Sequence, residues 1–459
     1  MSDTQLRVFT LNCWGLKYVS KNRSERITAI TSFLARSDYD IIALQELWVY
    51  SDYEKVRSSV IKRLPYSKFF YSGALGAGLA IFTRFPIVAA TIHPYSLNGS
   101  PMDVAGGDWF VGKAAASVLV THPVLGQIQI FNTHLFAKGG EGGPEHHRAH
   151  RLVNAWEFAK LVKQSAELGR YVISAGDFNS IPTTLPMTVI RDHAGLHDAW
   201  VATHPSTSSP RSAPSPYDAI QVHGVTADSP INSYSAGKPL DIYARAAQGK
   251  RLDYVLYRDP HHHPLSSPLS YRKLVCANTR VMLTETVPGR SFSYSDHFGL
   301  EATLLIQHPE AHENTLPSDP SALADVPSVS SVSATAPTTP STHLSDASAT
   351  AILQALTTCY RHARARSQQE LLIFVLCAVL VVAFVIGAAW LPHTAYAPIF
   401  AFGAAFSTWL GTTMLYIGFV YGRWEVNALM NVIEELELYR RGIDSTAGQG
   451  GVEDTSRGS

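Results

Sequence analysis

Residues Glu167–Ser180 read ELGRYVISAGDFNS, and this stretch decides the fold. Tyr171, Val172 and Ile173 form a short aromatic and β-branched run, the composition of a buried strand. The small residues Ser174, Ala175 and Gly176 close it. Asp177 and Asn179 follow two residues apart and are expected on one face at the strand's end. A carboxylate beside a carboxamide suits a phosphoryl oxygen, a water or a hard cation. An Asp/Asn turn after a core strand would use the same letters, so the rest of the chain has to separate the two readings.

The 459 residues carry 37 Lys+Arg against 37 Asp+Glu, a formal net charge of zero. No global basic field marks a nucleic-acid binder. Cys13, Cys276, Cys359 and Cys377 are far apart and form no CxxC pair. That spacing excludes the usual zinc patterns and suits free thiols in a reducing compartment. The N-terminal MSDTQLRVFTLNCW has no basic stretch followed by an apolar run, so no secretory signal is expected.

Composition divides the chain. Residues 1–308 mix short apolar runs with Gly/Pro punctuation, as a globular domain does. Residues 309–350 are rich in Ser, Thr and Pro and read as a flexible linker. A basic juxtamembrane segment, 351–370, holds Arg361, Arg364 and Arg366. Leu371–Leu391 and Tyr396–Tyr421 are 21 and 26 residues without a charge, each long enough to cross roughly 30 Å of hydrocarbon. Pro392-His393 makes the turn of a transmembrane hairpin, and 422–459 is expected as a cytosolic helix and tail. Arginines flank the two spans on the outside of the hairpin and none lies in its turn, which places both chain ends on the cytosolic side. Trp390, Tyr396, Tyr416, Tyr421 and Trp424 are expected as interfacial anchors.

Within 1–308, strands are expected at Leu6–Asn12, Asp40–Leu44, Ala77–Phe82, Ala114–His122, Gln127–Thr133, Arg251–Tyr257 and Gly299–Ile306. Helical spacing runs through Arg26–Arg36 and Glu145–Ser165. Many short strands with helices between them predict an α+β fold. Its form is a four-layer α/β/β/α sandwich, two packed mixed sheets flanked by helices. Residues 204–250 read as a long insertion, either functional or disordered.

Polar groups recur at the ends of these strands. Asn12 ends the first, Glu46 follows the second, His134 ends the Gln127–Thr133 strand, and Asp253 and Asp296-His297 lie near the last two. Each alone has an ordinary structural explanation. Their order, carried by LNCW, QE, NTHL, GDFN, LDYVL and SDH, resembles the endonuclease/exonuclease/phosphatase superfamily of magnesium-dependent phosphodiesterases and phosphatases. LNCWGL, SGALGAGLAIFTR, Leu97-Asn98-Gly99, GDWFVGKA and Leu196–Ala199 narrow the resemblance to the neutral sphingomyelinases and the fungal inositol-phosphosphingolipid phospholipases C. The helical hairpin belongs to the same pattern.

The resemblance implies a membrane sphingolipid substrate, with anionic phospholipid as activator and no nucleic-acid partner. It places the enzyme on the endoplasmic reticulum or a mitochondrial membrane. Glu46 is expected to ligate Mg²⁺, for which Mn²⁺ could substitute, with Asn12 beside it. Asp177 and Asn179 would orient water and a phosphoryl oxygen. His297, next to Asp296, is the expected general base, Asp253 an orienting group, and His134 the donor at the phosphate or leaving oxygen. The acid and base roles can be exchanged without contradicting the sequence. Two competing readings are a nuclease or inositol-phosphate enzyme of the same fold and a non-catalytic membrane scaffold.

Other motifs weigh less. Gly107 to Lys113 has the spacing of a nucleotide phosphate loop, but Ala114 stands where such a loop needs Ser or Thr. Asp108 and Lys113 are instead expected to pair in a loop that responds to anionic lipid. His146 and His150 are expected on an exposed helix face, and His261–Pro264 as a loop. Lys17, Lys21, Arg23 and Arg26 form an expected surface cluster. Trp14, Trp48, Trp109 and Phe110 would either pack in the core or dip toward acyl chains.

Overall fold

The structure of the protein, a computed structural model, describes residues 3–104, 106–140, 142–205, 213–261, 272–308 and 343–453, the last eleven by backbone alone. The expected linker falls largely on 309–342 and the expected His261–Pro264 loop, beyond His261 itself, on 262–271, both outside the described residues.

The strands are β1 (Gln5–Asn12), β2 (Ile41–Gln45), β3 (Tyr66–Phe69), β4 (Ala80–Thr83), β5 (Ile87–Pro94), β6 (Ala114–His122), β7 (Gly126–His134), β8 (Tyr171–Asp177), β9 (His197–Asp198), β10 (Asp253–Arg258), β11 (Lys273–Met282) and β12 (Gly299–Gln307). They form two six-stranded sheets, ordered β11-β12-β1-β2-β4-β3 and β5-β6-β7-β8-β10-β9. β1–β2 and β7–β8 are parallel pairs within otherwise antiparallel sheets. The sheets face each other across a core that includes Val8, Ile41, Ile81, Val118, Ile130, Ile173 and Val255. Gln45 crosses this interface, donating to Asn132 Oδ1 at 2.7 Å, and Asn132 donates to the carbonyls of Leu44 and Ala80.

Helices α1 (Arg23–Arg36) and α2 (Tyr50–Val60) cover the first sheet with Ile27, Ile30, Leu34, Tyr53 and Val56. After the short α3 (Asp108–Val111), helix α4 (Glu145–Glu167) covers the second, burying Leu152, Val153, Trp156, Ala159 and Val162 at helical spacing. The four-layer α+β sandwich is therefore as expected. The sequence reading missed β3, β5, β9 and β11. The 204–250 insertion is more ordered than expected where it is described. After α5 (Leu185–Thr188) and α6 (Ala199–Thr203) come α7 (Pro216–His223) and α8 (Ile242–Ala246). Ser215 and Asp241 cap these last two, each accepting a backbone N–H in the first turn.

The C-terminal region departs most from expectation. Helix α9 (Asp346–Gly387) is one continuous rod of 42 residues, about 63 Å long. It begins inside the expected linker and merges the juxtamembrane segment with the first span. The return leg is α10 (Ala397–Leu415), a π-helical turn at Tyr416–Tyr421, and α11 (Gly422–Glu453). Gly403, Gly411, Gly418 and Gly422 face α9 closely, and a Cβ on Gly418 would meet the Ser367 carbonyl at 3.1 Å. Both legs are long and apolar enough to cross a membrane. Their apolar side chains point outward: Leu372 is 70% exposed, Phe402 73% and Trp390 76%. A soluble helix pair would bury such residues.

The hairpin is not a loosely tethered anchor. Ile352, Ala355, Leu356 and Cys359 of α9, with Leu429, Val432 and Leu436 of α11, complete the core under α4. Tyr421, expected as an interfacial anchor, is instead buried and donates to the Gly99 carbonyl at 2.5 Å.

Candidate active site

Strand register brings the site together. His134 of β7 lies opposite Asp177 of β8, and Asp177 lies opposite Asp253 of β10. Three neighbouring strand ends therefore present their side chains in one row. Close packing makes this possible: Gly176 has φ 149°, and a Cβ there would stand 2.1 Å from the Thr133 carbonyl. The other sheet delivers Asn12 beside Gln45, after which the chain turns at Glu46. Glu46 (φ 52°), Trp14 (φ 44°) and Asn179 (φ 45°) all adopt left-handed backbone without being glycine, the strain that gathers at functional sites.

Asp177 is the hub. Its Oδ2 accepts from Asn12 Nδ2 at 3.0 Å and lies 3.4 Å from His134 Nε2 and 3.8 Å from His297 Nε2. Asn12 Nδ2 also donates to Glu46 Oε1 at 3.1 Å, while its Oδ1 accepts the Trp14 N–H. The Asn12 amide thus clamps two carboxylates through its nitrogen while its oxygen is taken by the Trp14 N–H. Asn179 lies beyond the strand end and not on its face. Its N–H donates to Asp177 Oδ1 and its Nδ2 to the Leu135 carbonyl. Arg151 on α4 holds this turn through the Asn179 and Phe136 carbonyls.

Opposite the hub, His297 Nδ1 bonds Asp253 Oδ2 at 2.8 Å, leaving Nε2 toward Asp177. Asp296 and His297 line a cleft of about 310 Å³ with Asn179 and Ala137. Lys113 is buried, its Nζ 2.5 Å from His134 Nε2 and 3.4 Å from Asp108 Oδ1. The loop expected to respond to lipid therefore puts its lysine inside the site.

The electrostatics are unbalanced. Burial pushes the carboxyls of Glu46, Asp177 and Asp296 above the usual range, helped at Glu46 by Asp296 and at Asp177 by Asp253. Burial would lower His297, but Asp253 and Asp177 hold it well above the ordinary histidine value. Burial, then Lys113, drives His134 well below that value and keeps it neutral. A set of crowded carboxylate oxygens with too little positive charge fits a hard divalent cation.

A second cluster, His150, Cys359 and Glu425, also brings metal-binding atoms together. His150, expected on an exposed face, is 3% exposed. Its Nδ1 accepts the Gly99 N–H and its Nε2 faces Glu425 Oε1 at 2.9 Å. With Nδ1 accepting, Nε2 carries the proton, so no lone pair remains for a cation. Arg26, expected at the surface, is also fully buried and donates to the Cys13, Trp14 and Tyr294 carbonyls. The burial of both follows from partners that only the fold brings together, backbone carbonyls for Arg26 and the Gly99 N–H and Glu425 carboxylate for His150, which the sequence does not display.

A two-sheet sandwich with an Asp–His pair facing crowded carboxylates defines a hydrolytic enzyme. Residues 9–297 match the profile described as Endonuclease/Exonuclease/phosphatase family, and the chain belongs to that family. It is 39% identical over 309 residues to the inositol phosphosphingolipids phospholipase C of Schizosaccharomyces pombe, covering 66% of this chain and 69% of that one. Human sphingomyelin phosphodiesterase 2 is 32% identical over 310 residues, covering 68% and 67%. The crystal structure of sphingomyelinase C from Streptomyces griseocarneus overlays with a TM-score of 0.44 at 15% identity, covering 65% and 99%.

Proposed function

We propose that the protein is a magnesium-dependent phospholipase C. It cleaves the phosphodiester of a membrane sphingolipid to ceramide and a phosphorylated headgroup. The observation that carries the reading is the Asp253–His297 pair, opening on a carboxylate-rich cleft in a domain packed directly onto two apolar helices. The names of its relatives supply the substrate class.

Glu46 would hold the cation beside Asp177 and Asp296. Magnesium there would neutralise the phosphodiester and the carboxylate field that otherwise keeps His297 protonated. Asp253 fixes the His297 tautomer with its proton on Nδ1. Nε2 then takes a proton from the water that attacks phosphorus. Asn12 spaces the carboxylates, and Asn179 orients the phosphoryl oxygens. The P–O bond to ceramide breaks, and the departing oxygen takes a proton from the Lys113–His134 pair. Because His134 is held neutral, Lys113 is the donor and His134 its positioning partner. Anionic phospholipid would activate the enzyme through the Gly106–Ala114 loop that carries Asp108 and Lys113.

The arginines flanking the hairpin support a cytosolic orientation of the catalytic domain, and the enzyme would act at the endoplasmic reticulum or a mitochondrial membrane. The test is ceramide release from sphingolipid in detergent, with and without Mg²⁺. Cleavage of DNA or soluble inositol phosphates with no ceramide formed would overturn the reading.

A further inference from the structure

The cleft beside His297 has a second wall that the chemistry above does not use. It comes from the insertion between β9 and β10. Ala227 pairs in antiparallel bridges with both Lys250 and His297. Thr226 accepts the N–H groups of Leu252 and Asp253 on its hydroxyl, and its carbonyl accepts Phe298 N–H at 2.7 Å. Asn232 reaches the Ser295 carbonyl at 2.9 Å. The insertion is thus stitched on both sides of the catalytic histidine, so its side chains have a fixed position relative to the scissile bond.

Those side chains are Asp228, Ser235, Lys238 and Lys250. Lys250 is 7% exposed and bridges Asp241 and Asp228, the latter at 3.4 Å. Asp228 is held in left-handed backbone at φ 53°. Lys238 stands exposed on the rim, and among the described residues no carboxylate pairs with it. No aromatic side chain lines the cleft among the described residues. Trp14, beside Asn12, already carries the Arg26 guanidinium over its ring at 4.8 Å.

We propose that Asp228, Ser235, Lys238 and Lys250 form the headgroup subsite and that it selects a cyclitol polyol over a quaternary ammonium. This rests on the phospholipase C reading above. A ring of hydroxyls both donates and accepts. Asp228 takes its donated hydrogen bonds, and Ser235 and Lys238 supply the rest. A trimethylammonium group offers no donor, meets the ammonium of Lys238 on the rim, and is normally bound on open aromatic faces, which this cleft lacks among the described residues. Asp228 and Lys238 are therefore the specificity-determining residues, one accepting and one donating.

The experiment uses the full chain in mixed micelles with Mg²⁺, comparing inositol phosphoceramide with sphingomyelin. Wild type is expected to favour inositol phosphoceramide at least tenfold in kcat/KM. Lys238→Met and Asp228→Asn should each cost about tenfold on that lipid, mainly through KM, and Lys238→Met should at the same time raise kcat/KM on sphingomyelin, so that the preference between the two lipids collapses. Asn tolerates the left-handed backbone and Lys238 is exposed, so both variants should fold. Preference for sphingomyelin, or equal losses on both lipids, overturns the subsite while leaving the phospholipase intact. Failure of the wild type to release ceramide from either lipid overturns both.

Discussion

Two buried clusters in this protein use the same residue types and behave oppositely. In the seam between α4 and the C-terminal helices, His150 meets Glu425 at 2.9 Å; in the cleft, His297 meets Asp253 at 2.8 Å. The seam is matched at its central carboxylate, although Arg366 Nε and Glu370 Oε2 at its edge find no hydrogen-bond partner among the described residues. Glu425 also pairs with Arg366, and His150 uses both ring nitrogens. The cleft is not. Asp253 Oδ1 and His134 Nδ1 have no hydrogen-bond partner among the described residues, and three carboxyls are pushed up together. Burial of ionisable groups is common to both, so burial does not mark the site; unbalanced charge does. Adjacent residues of one helix serve the two: His150 faces the seam and Arg151 holds the Asn179 turn.

The largest contrast should be in turnover. His297→Ala should lower kcat by about 10³ and Asp253→Asn by about 10², without altering the circular dichroism spectrum. His150→Ala should leave kcat within a few-fold. An equal loss from His150→Ala would erase the distinction between the clusters. Chelation should likewise abolish ceramide release, with recovery on adding Mg²⁺, while the seam stays docked.

Stability should reverse the order. Removing a charge from the unbalanced cluster relieves repulsion, so Glu46→Gln should stabilise the chelated protein by about 1 kcal/mol while eliminating activity. Glu425→Gln should destabilise by about 1 kcal/mol, because it takes the buried carboxylate from between His150 and the half-buried Arg366 and leaves that arginine only the more distant Glu370 at 3.7 Å. Thermal unfolding in detergent with a chelator present reads both. Two shifts of the same sign would mean that the cleft is as well satisfied as the seam.

The sequence displayed one cluster and hid the other for a physical reason. Asn12, Glu46, His134, Asp177, Asp253 and His297 sit at strand ends, where alternation and a break in the apolar run are visible in the letters. Strand register then converts order along the chain into proximity. The direction of the Asn12 amide was not visible, because it depends on the Trp14 N–H after a left-handed turn. The seam joins residues 275 apart through helix packing, and helical periodicity announces an apolar face without naming its partner. His150 therefore read as exposed, and α9 read as a linker, a basic segment and a span.

The smallest effect is in the seam's response to acid. Burial alone would raise the Glu425 carboxyl, but the hydrogen bond from His150 and the Arg366 guanidinium hold it below the usual range. A carboxylate depressed in the folded state adds stability above its unfolded value, near 4.3. That contribution is lost as pH falls through the lower folded value. Docking of α11 on α4 should thus be unaffected between pH 7 and 5 and weaken below about pH 4. Hydrogen exchange of α11 amides measures this directly, and Glu425→Gln should remove the acid dependence. Loosening that begins near pH 6 would instead identify a histidine as the group that sets the seam.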